Sequence, residues 1–179
     1  MKEIETLDST IVYKNRWMSV REDKIRRPSG AEGIFGVVDK ADFVVILAIQ
    51  NEHVYLVEQY RYAVEDRYWE LPQGSWENDP SADHSLLAAG ELKEETGLVA
   101  KCMEYIGQQF LAYGYSSQSY HIYLATDLTE SSTNLDEEEE GLISKKVSLI
   151  QFESMIIDGV IKDATTVNAY GLAKLKGFI

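Results

Sequence analysis

Residues 90–98 read GELKEETGL, and the fold turns on how this stretch is understood. It places Glu91, Glu94 and Glu95 within two turns of helix, next to Ala88, Ala89 and Leu92. Residues three and four apart share a helix face, so the three carboxylates project together, and the alanines and Leu92 form a neighbouring face that can pack on a sheet. Lys93 points away at another angle, so crowded like charge must be offset by cations from elsewhere. A solvated acidic face is the ordinary fate of such a cluster. Here, however, a loop containing Pro72, Gly74 and Pro80 precedes the helix, and Gly97 stops it directly after the charges. Hard divalent cations prefer carboxylate oxygens and accept phosphates as further ligands. The cluster is therefore expected to hold Mg²⁺, or Mn²⁺, against a diphosphate.

Outward from the helix, the chain reads as strands first and helices last. Residues 9–27 read as extended, and Pro28 and Gly30 mark a turn before the strand-like IFGVV at 34–38. FVVILAIQ at 43–50 is a continuous apolar run, the pattern of a strand buried on both faces. A short turn at 51–53 leads to a second strand at 54–64, and strands are expected again at 102–110 and 119–126. Asp83 or Ser81 caps the acidic helix; a helix near 150–158 ends at Gly159, and Asp163 caps a last one. The class is α+β, a mixed sheet with helices packed against it.

The 179 residues suit one domain with a small extra lobe. A net charge of −13 repels nucleic acid and anionic membrane at long range. No apolar run reaches the length of a membrane span, and the acidic start of the chain is unlike a signal peptide. The single cysteine, Cys102, excludes an intrachain disulfide, suits a reducing compartment and reads as a small core residue. A cytoplasmic protein is expected.

At this point the chain resembles the Nudix hydrolases. Residues 91–98 match the tail of that family's signature, Glu-apolar-x-Glu-Glu-x-Gly-apolar, and ELPQG at 70–74 matches the way into it. LVEQYRYAV, YGYSSQ, LATDL and DGVIKDATT extend the likeness toward the ADP-ribose pyrophosphatase branch, over roughly residues 40–175. The resemblance implies a mixed sheet sandwiched between helices over residues 39–179, preceded by a strand-rich extension at 1–38 that packs on a second copy in a homodimer. It implies a Mg²⁺-dependent hydrolase that splits the diphosphate of ADP-ribose or a related nucleoside diphosphate sugar into two monophosphates. Glu91 and Glu95 are the implied metal ligands, with Glu94 a ligand or water-orienting group and the Gln73 backbone carbonyl a further ligand. The base is implied to lie on the acidic loop 136–142, with Glu140 aligned first and Glu138 next. Arg61, with Glu70 near it, is placed toward the phosphates. Tyr115 is a candidate to stack on base or ribose; Trp69, Trp76 and Tyr113 read more readily as packing.

Two departures stand out. Gly90 occupies the place of the signature's arginine, which orients a metal-binding glutamate, and the loop from Gly74 to Glu91 is two residues longer, leaving Glu77 and Asp83 as candidates for its glutamate. The partner is a nucleoside diphosphate-linked small molecule. The alternatives are a non-catalytic nucleotide-sensing module or a dinucleoside-polyphosphate or RNA-end hydrolase; the acidic surface speaks against RNA.

Overall fold

The computed structural model describes residues 3–76, 82–133, 135 and 139–179. Two sheets form. β1 (Glu5–Lys14), β2 (Met18–Arg26) and β3 (Glu32–Lys40) make an antiparallel three-stranded sheet in that order. The segment read from sequence as one extended run at 9–27 is broken at Asn15, whose side-chain oxygen accepts the N–H of Trp17 at 2.9 Å and of Met18 at 2.8 Å. That is the local turn chemistry by which asparagine reverses a chain. Every residue of β1 is exposed.

The second, seven-stranded sheet holds β4 (Phe43–Gln50), β5 (His53–Arg61), β6 (Asp66–Glu70), β7 (Gln73–Gly74), β8 (Leu98–Phe110), β9 (Ser119–Glu130) and β10 (Ile143–Ser148). Its main path runs β10-β5-β4-β9-β8, with β6 on β5 and β7 on β4. β4 and β5 are joined by a tight turn with Asn51 and Glu52 both at positive φ, the geometry that matches strand twist in a hairpin. β4 and β9 run parallel, from Phe43 opposite Tyr120 to Ala48 opposite Ala125. The segment expected as strand to residue 64 ends at Arg61 and closes in a 3₁₀ turn, Tyr62–Val64.

β4 is buried on both faces, as its unbroken apolar run requires. Val44, Ile46 and Ala48 meet Leu87, Ala88 and Leu92 of α1 (His84–Thr96) on one side. Val45 and Leu47 meet Phe152 of α2 (Leu149–Ile157) and Ala169, Tyr170 and Ala173 of α3 (Ala164–Leu175) on the other. The sheet is thus sandwiched between helices. Asp83 and Asp163 cap α1 and α3, and Gly97, at φ 69°, ends α1. Ala89, expected on the packing face of α1, is exposed, and Leu87 takes that place. Cys102 is also exposed rather than in the core.

No helix among the described residues is long and apolar enough to cross a membrane.

Candidate active site

The sheet makes the site by letting its central hairpin splay. β4 and β5 pair only at the turn end, through Ile49–Val54 and Gln50–His53. Farther along, β4 pairs with β7 (Val44 with Gly74, Val45 with Gln73), and β5 pairs with β6. Residues 70–74 therefore enter the gap between the two strands, beneath α1. Residues 70–73 are pinned by β5, β4 and α3. Glu70 is buried and bonded by Arg61 and by Gln59 at 3.0 Å. The Leu71 N–H donates to the Thr166 hydroxyl at 2.8 Å, and the Pro72 carbonyl accepts from the Ile46 N–H at 2.9 Å. The Thr165 hydroxyl donates to the Gln73 side-chain oxygen at 2.9 Å. Buried backbone polar groups in so irregular a segment need such partners to remain in place.

Above this segment stand the helix carboxylates. Glu91 and Glu95 are buried, at 6% and 1% exposure, one helical turn apart. The Gln73 N–H donates to Glu95 Oε2 at 3.0 Å, whereas Glu95 Oε1 is buried without a hydrogen-bond partner among the described residues. Gly74 is glycine for a steric reason: a Cβ there would lie 2.3 Å from Glu91 Oε2 and 2.5 Å from its Cδ. The third member comes from the acidic loop. Glu139 is half-buried, and oxygens of Glu91, Glu95 and Glu139 lie within 4.8 Å of one another. The loop is held there by Arg67, which bonds Glu58 at 3.0 Å and the Gly141 carbonyl at 2.7 Å, and by Leu142, whose N–H returns to the Glu139 carbonyl.

The electrostatics of this group match a cation site. Burial, then the charges of Glu91, Glu139 and Glu70, push the Glu95 carboxyl well above the usual range. Glu70 is also raised, because burial outweighs its ion pair with Arg61. Three carboxylates with one orphaned buried oxygen are costly unless positive charge joins them. Oxygen-only donors of this kind suit Mg²⁺ or a similar hard ion. The residues fit a bound divalent metal.

The expected site residues divide as follows. Glu91 and Glu95 come together, but Glu94 lies outside their group, half-buried beside Gly90, Lys93 and Ser132. Gln73 is in the site, seen through its N–H. Arg61 and Glu70 form a forked ion pair nearby. Tyr115 is 59% exposed on the loop after β8, where its carbonyl accepts the Val38 N–H of β3 at 2.8 Å. Tyr113 is exposed, and Trp69 packs against the core beneath Lys145. Glu140 is exposed and outside the carboxylate group; Glu138 and Glu77 lie outside the described residues. Asp83 is the cap of α1 and bonds Ser85. Glu139 was not singled out from sequence: in a run of four glutamates nothing local tells which one turns inward. Nor was the contact between His84 and His121, whose rings stack with centroids 3.6 Å apart.

A NUDIX domain model matches residues 39–168, and a nucleoside diphosphate sugar hydrolase N-terminal domain model matches residues 4–38. The chain belongs to the NUDIX family. Among relatives of this NUDIX protein, an ADP-ribose pyrophosphatase from Mycobacterium tuberculosis is 35% identical over 72% of the chain and 62% of that enzyme. The chain thus spans somewhat under two thirds of that relative's length. A methanol dehydrogenase activator from Bacillus methanolicus is 30% identical over 76% of the chain and 75% of that protein. The fold is that of a crystal structure of an ADP compounds hydrolase, with a TM-score of 0.86 at 23% identity, covering 99% of this chain and 96% of the other. Members of the family generally use divalent metals, and the acidic cluster is where this one would hold them.

Proposed function

We propose that this NUDIX protein is a Mg²⁺-dependent pyrophosphohydrolase that cleaves ADP-ribose or a related nucleoside diphosphate sugar into two monophosphates. The observation that carries the reading is Glu95. Its carboxylate is buried against Glu91 and Glu139, with one oxygen on the Gln73 N–H and the other without a partner among the described residues. The substrate class rests on the description of the N-terminal model and the name of the mycobacterial relative.

Glu91 and Glu95 would hold the cation, with the Gln73 carbonyl as a further ligand. When bound, Mg²⁺ supplies positive charge opposite the phosphates and promotes ionisation of water. Glu94, on the same helix but outside the buried group, orients water at its edge. Arg61 bonds Glu70 through Nε and one terminal nitrogen. The rest of its five N–H donors remain to grip phosphate oxygens, which a planar fork suits. The base is assigned to Glu139 rather than Glu140, because its carboxylate faces the helix pair and a base must reach the water it deprotonates. Water oxygen then bonds to one phosphorus, its proton passes to Glu139, and the bridging P–O bond breaks to release two monophosphates. Tyr115, exposed beside β3, is assigned to stack on base or ribose.

The N-terminal sheet is assigned to a homodimer interface. Ile11, Val12, Ile34 and Phe35 are exposed on it, and two-fold pairing would cover such side chains. With one cysteine the chain suits the cytoplasm. Residues 1–38 and 39–179 are taken as extension and hydrolase domain.

The test is product analysis by phosphorus NMR over ADP-ribose, GDP-mannose, NADH, diadenosine polyphosphates and 8-oxo-dGTP, with Mg²⁺ and with Mn²⁺. Two monophosphates from ADP-ribose or another nucleoside diphosphate sugar support the reading. Hydrolysis of none of them, with either metal, leaves a nucleotide-sensing module. Light scattering should give twice the chain mass, and a monomer at micromolar concentration contradicts the dimer.

A further inference from the structure

We propose that Trp76 is a positioning residue for the carboxylates of α1, with Gly90 as its seat. The proposal rests on the reading of Glu91 and Glu95 as metal ligands. Gly90 lies in the interior of α1, where glycine is a poor helix former. Its φ is not in the left-handed region, so the backbone does not call for glycine. The reason is steric: a Cβ there would lie 2.8 Å from Cζ2 of the Trp76 indole. The ring lies on the bare Cα of the helix.

This contact is one half of a reciprocal pair. Two residues before Trp76, Gly74 receives the Glu91 carboxylate on its own bare Cα, and one residue before Glu91, Gly90 receives the indole. Gln73, just ahead, donates its N–H to Glu95. Three of the four residues in 73–76 thus engage α1, two through a carboxylate and one through an aromatic ring. Oxygens of Glu91, Glu95 and Glu139 crowd like charge at this face of the helix. The indole supplies a large apolar contact without charge. Trp76 is 38% exposed, so it is a clamp at the edge of the site and not a core residue.

The experiment compares wild type with Trp76→Ala, Trp76→Phe, Gly90→Ala and the double variant Trp76→Ala/Gly90→Ala. The readouts are the rise in melting temperature on adding Mg²⁺ or Mn²⁺, and kcat, KM and metal half-saturation on the best substrate. Loosening a residue that orients metal ligands weakens metal affinity by about 10–100-fold. Trp76→Ala should raise the half-saturating metal concentration by about tenfold, with KM within about twofold; Trp76→Phe should keep most of the response. Gly90→Ala should match Trp76→Ala, because the added methyl displaces the ring. In the Trp76→Ala background the same change should cost nothing further and should raise the metal-free melting temperature, alanine being the better helix former.

An unchanged metal response in Trp76→Ala overturns the proposal. So does a rise in KM alone, which would make Trp76 a substrate contact, or an equal cost of Gly90→Ala in both backgrounds. If no substrate is hydrolysed but the metal-induced melting shift depends on Trp76 as described, the clamp stands and the hydrolase reading fails. If the wild type shows no shift with either metal, the clamp falls.

Discussion

Replacing Glu95 by glutamine tests the carboxylate group while keeping its shape. The ligand oxygens of Glu91, Glu95 and Glu139 lie within 4.8 Å of one another. At that separation, with an effective dielectric of about 20, one pair of unit charges repels by about 3 kcal/mol. The Glu95 carboxyl is raised by burial and by its neighbours, and because Glu139 is half-buried, solvent screens part of the repulsion. A gain of about 1–3 kcal/mol on removing the charge is therefore expected in metal-free buffer at neutral pH. For a domain of this size each kcal/mol moves the melting temperature by about 2–4 °C. Glu95→Gln should then melt at least about 2 °C above wild type in EDTA. Because the folded-state pKa of Glu95 is raised, the folded protein binds the extra proton, and wild-type stability falls as pH rises from the unfolded value through the folded one. The gap between mutant and wild type should widen over that range. Added metal reverses the order. At about 100 times its dissociation constant, Mg²⁺ stabilises the wild type by about 2.7 kcal/mol, or about 5–10 °C, and the mutant by much less. Hydrolysis should fall at least about a hundredfold, since the metal contributes several kcal/mol to the barrier. Differential scanning fluorimetry in EDTA and in Mg²⁺ reads the first two effects. Equal Mg²⁺ responses, or a mutant less stable than wild type in EDTA, would refute the reasoning.

Glu139→Gln should cost kcat on the order of a hundredfold, as loss of a general base does, whereas Glu140→Gln should stay within about twofold; steady-state kinetics of the two side by side check the assignment, and the reverse order returns the base to Glu140. His121 is 8% exposed, its Nε2 has no hydrogen-bond partner among the described residues, and burial followed by the neighbouring His84 lowers its pKa. Asp42 pulls the other way, while Tyr105 touches its Nδ1 at 3.4 Å. The unfolded chain therefore takes up a proton near pH 6.5 that the folded one resists, and the stability from neutral His121 is lost as pH falls below that value. Thermal melts from pH 7.5 to 5 should show a smaller decline in His121→Phe than in wild type.

What was legible in the sequence was what is local. Asp163 and Gly97 act within a turn of their own helix, so that cap and that stop could be read directly, and the cap of α1 was narrowed to Asp83 or Ser81, of which Asp83 is the cap. β4 declared burial on both faces because its side chains alternate between two cores. The spacing of Glu91 and Glu95 gave one face of one helix. Non-local choices stayed hidden. The parallel pairing of β4 with β9, and the entry of residues 70–74 between β4 and β5, depend on partners far away in the chain. Glu139 turns inward because Arg67 holds the Gly141 carbonyl from 74 residues away. Glu94 shares a sequence motif with the metal pair but not their burial, since the register of α1 on the sheet decides which carboxylates are covered. Cys102 is exposed on β8 although its residue type favours burial.

The account turns on whether the buried carboxylates hold a metal. Mn²⁺ soaked into crystals of the wild type, located by its anomalous scattering, answers this without any substrate. The predicted result is a peak between Glu91 and Glu95, within about 2.1–2.3 Å of their oxygens and on the side of Glu95 Oε1, that is absent in Glu95→Gln. A peak bound by Glu94 and not by Glu95, or none at all, would contradict it.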